Sequence, residues 1–315
     1  MAYYSGAASD LSGLRSALVN ACVLEGWAWD GGSEVLSKGN LFLKLQVTAE
    51  SLTLLGRTSA AAGDAPDLVR IGQLFNYTTG PTYQFSWPAA WELFVFTNPD
   101  EVYLVVNYDV DRYQWCAFGQ SSVQGLPGTG MWFGATIGPT IIAHGSRNEA
   151  PFFITYNSGG NDATYNVVGT SGALAYNSCR SSRSLSSANF WLHSDLDAQG
   201  WLLNEKGSTY EPIGIRYLTE LLKTQPNTWN SEAVLLPLRA FKVRPENRIS
   251  LTMDLQNARH LRIDNYAAGE VITLGSDQWK IFPWHRKNIE IRDGNSYRGS
   301  DHTGTFGWAI RYEGP

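Results

Sequence analysis

Between Trp91 and Gly119 the chain reads WELFVFTNPDEVYLVVNYDVDRYQWCAFG, and apolar side chains fall at alternate positions in three successive runs. A period of two sends neighbouring side chains to opposite faces of a strand, so the pattern predicts a three-stranded antiparallel meander. Trp91, Leu93 and Val95 share one face of the first strand, with Phe94 and Phe96 on the other. In the middle strand Val102, Leu104, Val106 and Tyr108 alternate with Tyr103, Val105 and Asn107, so both faces are largely apolar. Such a strand is central and covered on both sides. Thr97 to Glu101 reads as the first turn, of type I, with Pro99 presetting φ, and Asp109-Val110-Asp111 reads as the second.

A different period precedes the meander. Leu11, Leu14, Leu18, Ala21 and Cys22 recur at helical spacing, widened by Val19 and Val23, which predicts a helix over 9–25. Ser9 or Asp10 caps its start and Gly26 ends it. This helix is the natural cover for one face of the meander, with the C-terminal strands or a neighbouring element on the other. Residues 1–8 read as an arm that orders on contact. Leu41 to Val47 alternates as a strand, Leu52 to Leu55 pairs with it, and Ser59 to Asp67 reads as a loop. Tyr83, Phe85 and Trp87 suggest a strand or an edge stretch stopped by Pro88.

From Gly119 to about Thr228, Gly, Ser, Asn and Thr become dense, as in YNSGGNDATYN. Recurring aromatics such as Trp132, Phe152, Phe190, Trp191 and Trp201 argue for a folded, loop-rich excursion rather than disorder. A short helix is expected at Ile213–Lys223. The last third predicts strands at Ala233–Phe241, Ser250–Leu255, His260–Ile263, Glu270–Leu274 and Gln278–Phe282. A half-buried final strand follows, with Phe306, Trp308, Ile310 and Tyr312 on one face, and completes the sheet. The expected fold is α+β and predominantly antiparallel β. It has an N-terminal unit at 1–119, the excursion at 120–230 and a C-terminal β region at 231–315 that packs with the N-terminal unit.

Composition narrows the setting. Charged residues are 17% of the chain and aromatics 13%, with 12 Trp and 31 Gly. An average soluble domain is roughly 25% charged, so much of this surface lacks the protection of charge and calls for partners. Twenty-four basic against 29 acidic residues give a net charge of −5, which argues against binding along a phosphate backbone. Cys22, Cys116 and Cys179 are widely spaced without a CxxC. They read as buried small hydrophobes in a reducing cytoplasm rather than a disulfide framework or zinc site. MAYYSGAASDLSG lacks the features of a signal peptide, and no run of 18 apolar residues predicts a membrane span.

Seven stretches together resemble one family: AYYSG, EGWAW after the helix, NPDEVYLVVNYDVDRYQWCAFG, GLPGTGMWFGA, QPNTWNSEAVLLP, LRIDNYAAGEVITLGSDQWKIFPWHRKN and DHTGTFGWAIRYEGP. The chain is similar in them to tailed-bacteriophage virion structural proteins carried by phages and prophages of Gram-negative bacteria. The likeness covers both ends, and residues 135–205 look specific to this protein. It implies a non-enzymatic particle component of the neck, collar or tail, assembled in the host cytoplasm and ending in the virion. It brings no catalytic residues with it. The implied partners are copies of the chain, in a symmetric ring, and neighbouring neck or tail proteins. Closed rings use heterologous contacts, so opposite faces of the subunit should be complementary. Interface candidates are Tyr3, Tyr4, Trp132, Trp191, Trp201, Trp229 and Trp284. The alternative is a receptor- or glycan-binding protein of the tail tip or baseplate, with exposed aromatics of the excursion, Trp191 and Trp201 among them, stacking on a host sugar.

Other constellations point less far. His193-x-Asp195-x-Asp197 places three metal-ligand types on one face of a strand, against the plainer reading of a polar loop. Asp109-x-Asp111 lacks the rest of a calcium loop and reads as turn chemistry. Asp301, His302 and His285 lack a G-x-S-x-G elbow, since Gly169 to Gly172 has the wrong spacing. Gly125 to Gly130 lacks the Lys-Ser/Thr of a P-loop and reads as a connecting turn. The basic clusters at His285 to Lys287 and Arg180 to Arg183 suit acidic neighbours or solvent. No catalytic, cofactor-binding or metal residue is assigned.

Overall fold

The computed structural model describes residues 1–76, 80–83, 85–137, 142–143, 190–203, 235–246, 248–263, 265–284 and 306–314. The chain opens with strand β1 (Ala2–Ala8) and helix α1 (Leu11–Leu24), followed by β2 (Ala28–Asp30), β3 (Val35–Lys38), β4 (Leu41–Val47), β5 (Ser51–Arg57) and β6 (Val69–Gly72). Two short strands, β7 (Leu74–Asn76) and β8 (Gly80–Tyr83), lead to the meander β9 (Ala89–Thr97), β10 (Asp100–Asp109) and β11 (Arg112–Gln120). Next come β12 (Met131–Ala135), β13 (Ile142–Ala143), β14 (Phe190–His193) and β15 (Trp201–Leu203). The C-terminal part is β16 (Leu236–Arg244), β17 (Arg248–Arg262), β18 (Val271–Leu274), β19 (Asp277–Pro283) and β20 (Phe306–Tyr312). The protein is mostly antiparallel β with one α-helix among the described residues. That is a narrower helical share than an α+β fold implies.

Three layers follow from the two apolar faces of the meander. The central sheet has seven strands in the order β1-β9-β10-β11-β12-β14-β15. On one face Leu93, Val95, Val102, Leu104, Val106, Cys116 and Phe118 pack with Leu14 and Leu18 of α1 and with Leu43, Leu45, Leu52 and Leu54 of a second sheet, β2-β3-β4-β5-β6. On the other, Phe94, Phe96, Tyr103, Val105, Trp115 and Ala117 pack with Leu238, Met253, Phe282, Trp308 and Ile310 of a third sheet, β16-β17-β20-β19-β18, and with Trp284 just past β19. β7, β8 and β13 form a small separate sheet.

The helix forms where its pattern predicts. Asp10 Oδ1 accepts a hydrogen bond from Gly13 N at 2.7 Å and caps the start, and Gly26, at φ 86°, ends the helix just past Glu25. β4 occupies the predicted residues, and Val47 pairs with Leu52 across the next turn.

Several expectations change. Residues 1–8 are not a loose arm: β1 pairs with β9 along its whole length, from Ala2 opposite Val95 to Ala8 opposite Ala89. The first meander turn is tighter than expected, because Asp100 already pairs with Thr97. Pro99 sits in a cis peptide at the third turn position, where a type I turn does not hold it. Glu101 is a fully buried strand residue rather than part of the turn. The helix covers only part of its face, and the β2–β6 sheet covers the rest. The C-terminal strands stack on the central sheet instead of completing it, since the aromatic second face needs a cover more than the edge needs a strand. Residues 120–230 are not simply an excursion, because β12, β14 and β15 extend the central sheet. Ser250–Leu255 and His260–Ile263 belong to one long strand, β17. The final strand is central and not half-buried: Trp308 and Ile310 face one core and Ala309 another. The helix expected at Ile213–Lys223 lies outside the described residues.

Candidate assembly surface

The described surface offers one long edge with no defence against pairing. β1, AYYSGAA, ends the central sheet without an outer partner among the described residues. It holds no charge and no proline, and it pairs with β9 without a register shift. Natural sheets usually blunt such edges with Lys, Pro or bulges. β16, the other long edge, has all three: Pro237, then Arg239, Lys242 and Arg244, and two register shifts against β17. The remaining described edges, β2, β6, β8, β13, β15 and β18, are two to four residues long.

Both flanks hold β1 in place. On the second face the Tyr3 hydroxyl donates to Glu92 at 2.7 Å, and Lys280 Nζ donates to the Tyr3 oxygen at 3.1 Å while pairing with Glu92. The same ammonium lies 4.9 Å from the Tyr3 ring centre and 5.4 Å from that of Tyr312, a cation–π cage. Burial lowers the Lys280 amine, but the bonds to Glu92 and Tyr3 outweigh it and leave the pKa raised, so the cation is held. Burial and the Glu92 bond both raise the Tyr3 phenol, which stays protonated. On the first face Tyr4 donates to Glu25 at 2.7 Å, and that bond, with burial, pushes the phenol up to about 12.

Apolar surface gathers on both flanks. Leu24 is 72% exposed and Val23 45%, next to the Glu25 that binds Tyr4. Val271, 39% exposed, stands opposite Lys280 in the β18–β19 pairing, and the Lys280 ammonium reaches Tyr3. These are three of the five large apolar residues that stand exposed among the described ones.

The seven interface candidates separate sharply. Tyr3 and Tyr4 lie on β1, half-buried. Trp132, Trp191 and Trp284 are interior, at 0, 2 and 0% exposure, and present no ring to a partner. Low charge leads a sequence reading to put tryptophans outside, whereas here they fill the space between stacked sheets. Trp284 stacks on Trp308 at 4.9 Å, and Trp132 on Phe190 at 6.3 Å. Trp201 is half-buried, edge-on to Phe133, with its indole N–H donating to Gly63 O at 3.2 Å. Trp229 lies outside the described residues.

The candidate ligands diverge as well. Thr129 N donates to His193 Nδ1 at 2.9 Å, which puts the imidazole proton on Nε2, and burial lowers the ring's pKa. Asp195 accepts from Gly200 N at 3.0 Å, and Asp197 pairs with Arg244 at 2.6 Å. The three groups therefore serve three separate local contacts, and no cluster of metal-ligand residues forms among the described residues. Asp109 accepts from Val110 N at 2.8 Å and Asp111 adopts φ 56°, both as turn residues. A polar recess of about 170 Å³ between β18 and β20 is lined by Thr273, Gln278, Asp277, Arg311 and Glu313, and there Arg311 pairs with both acids. His285 to Lys287, Asp301, His302, Gly169 to Gly172 and Arg180 to Arg183 lie outside the described residues.

Sequence reasoning missed two polar clusters. One is the Lys280–Glu92–Tyr3 set. The other surrounds Glu101, whose carboxylate accepts from Tyr103 Oη at 2.9 Å, Gln256 N at 3.0 Å, Asn257 N at 3.0 Å and Asn257 Nδ2 at 2.8 Å. Burial pushes this carboxyl above its usual range although four bonds favour the ion. The only signal was an acid at the start of an apolar strand, which a turn explains equally well. No family model matches the chain, and no match was found among curated proteins.

Proposed function

We propose that the chain is a non-enzymatic structural subunit of a tailed-phage particle, in the neck, collar or tail, that assembles symmetrically through contacts between copies. The observation that carries this reading is the β1 edge, open among the described residues, seven residues long, uncharged and flanked by exposed Val23, Leu24 and Val271. A solitary protein gains nothing from such an edge and is exposed by it to aggregation. An assembly subunit uses it. The sequence resemblance supplies the phage setting, and the packed three-layer core suits a component that holds its neighbours in fixed positions.

The experiment is localisation. Tagged protein labelled with gold should decorate purified particles at one axial level in negative-stain images. Intact virions that lack the label would overturn the reading. The tail-tip alternative has less support, because Trp191 is interior and the Trp201 indole is already bonded to Gly63.

A further inference from the structure

We infer that β1 pairs with β1 of a second copy, antiparallel about a two-fold axis at Ser5, so that two central sheets join into one of fourteen strands. The inference rests on the assembly reading and deepens it by naming the partner and the register. Length is the first argument. The other edges are either short or, in β16, guarded by charge and proline, so β1 is the described edge that matches β1 in length and openness.

The second argument is size. In the register that pairs all seven residues, Ala2 lies opposite Ala8, Tyr3 opposite Ala7, Tyr4 opposite Gly6, and Ser5 opposite itself. Directly opposed residues point to the same face, so each tyrosine meets a residue with little or no side chain. Gly6 is held small from within as well, because a Cβ there would come 2.8 Å from the Trp91 ring. Opposed residues also have the same parity, so the outward backbone groups of one strand meet those of the other. No like charges face each other across the pair.

The third argument is continuity. A two-fold axis normal to the sheet keeps the layers of both copies on the same sides. It brings the exposed Val23 and Leu24 of each copy to one flank of the joint and Val271 to the other, where the partner covers them. Contacts of this kind are isologous, so they either form a dimer or join two rings back to back, and the assembly holds an even number of copies.

Two cysteine variants test the register in the full-length protein. Directly opposed antiparallel residues have Cα atoms about 4.5–5.5 Å apart, within disulfide reach. Ser5→Cys should therefore cross-link to itself on mild oxidation. Ala7→Cys, whose copies would lie about 13 Å apart, should not. Both side chains are exposed, so neither variant disturbs the core. Wild-type protein on the same non-reducing gel accounts for Cys179. In parallel, native mass spectrometry should find an even multiple of the 34.8 kDa chain. Ser5→Lys, which opposes two ammonium groups at the axis, should halve that mass with an unchanged circular dichroism spectrum. Equal cross-linking at positions 5 and 7, none at position 5, or an unchanged mass in the lysine variant overturns the pairing and leaves the assembly reading standing on particle localisation. A wild-type protein that stays monomeric also overturns the pairing.

Discussion

The two faces of the central sheet are built from different material. Toward α1 and the β2–β6 sheet the core is mainly leucine, valine and isoleucine. Toward the C-terminal sheet it is aromatic, with Trp115, Trp284 and Trp308 in mutual contact and Tyr103 against Trp308, at 4.9–5.9 Å. The aliphatic side joins mainly segments of the first 135 residues, with Trp191 and Trp201 the distant exceptions. The aromatic side joins β10 and β11 to strands well over a hundred residues away and carries buried Glu101 and His260, whereas the aliphatic side buries Gln114 against Gly72. Branched aliphatics fill space with little directional preference, so one such core resembles another. Large rings and buried hydrogen bonds tolerate few arrangements. The aromatic face should therefore be the one that sets how the distant C-terminal sheet docks, and it should be the less tolerant of change.

Trp308→Ala breaks the comparison hardest. It removes a fully buried ring stacked on Trp284, and chemical denaturation should show a loss of about 4 kcal/mol. Leu45→Met in the aliphatic core, a volume-conserving change, should cost less than about 1.5 kcal/mol, and equal losses in the two variants would sink the contrast. Glu101→Ala leaves four donors from β10 and β17 without their acceptor and should cost about 3 kcal/mol by the same assay.

His260 sharpens the contrast through pH. Its Nδ1 accepts from the Trp284 indole at 3.2 Å, and complete burial lowers the pKa from 6.5 to about 3. A depressed base stabilises the fold above its unfolded pKa and loses that contribution as pH falls toward the folded one. The loss from His260 should reach about 2 kcal/mol by about pH 5. Glu101, with its raised pKa, acts in the opposite direction, so the comparison to make is between wild type and His260→Phe. Denaturation between pH 7 and 5 should give the variant the smaller acid loss, and parallel curves would refute the assignment. The smallest effect expected is on the aliphatic side, where Asp10→Ala removes the α1 cap at a cost of about 1 kcal/mol.

The meander, the helix and most C-terminal strands are legible in the sequence because period two and period 3.6 are local properties. The middle strand's two apolar faces even announce three layers. The edge strand was harder to read. AYYSGAA alternates too weakly to predict a strand, and its order comes from β9, which lies far along the chain. Three of the candidate interface tryptophans escape a sequence reading for a related reason. Composition counts aromatics without saying which of them a stacked sheet will cover, and Trp132, Trp191 and Trp284 proved interior.

By itself the sequence determines the elements of this protein: where a strand alternates, where Asp10 caps, and which strand must be covered on both sides. Only the tertiary structure decides what does the covering, which edge is left bare among the described residues, and that Glu101 and Lys280 tie distant strands together. Side-chain period and capping depend on neighbours a few residues away, whereas burial and edge exposure depend on every segment that packs against them.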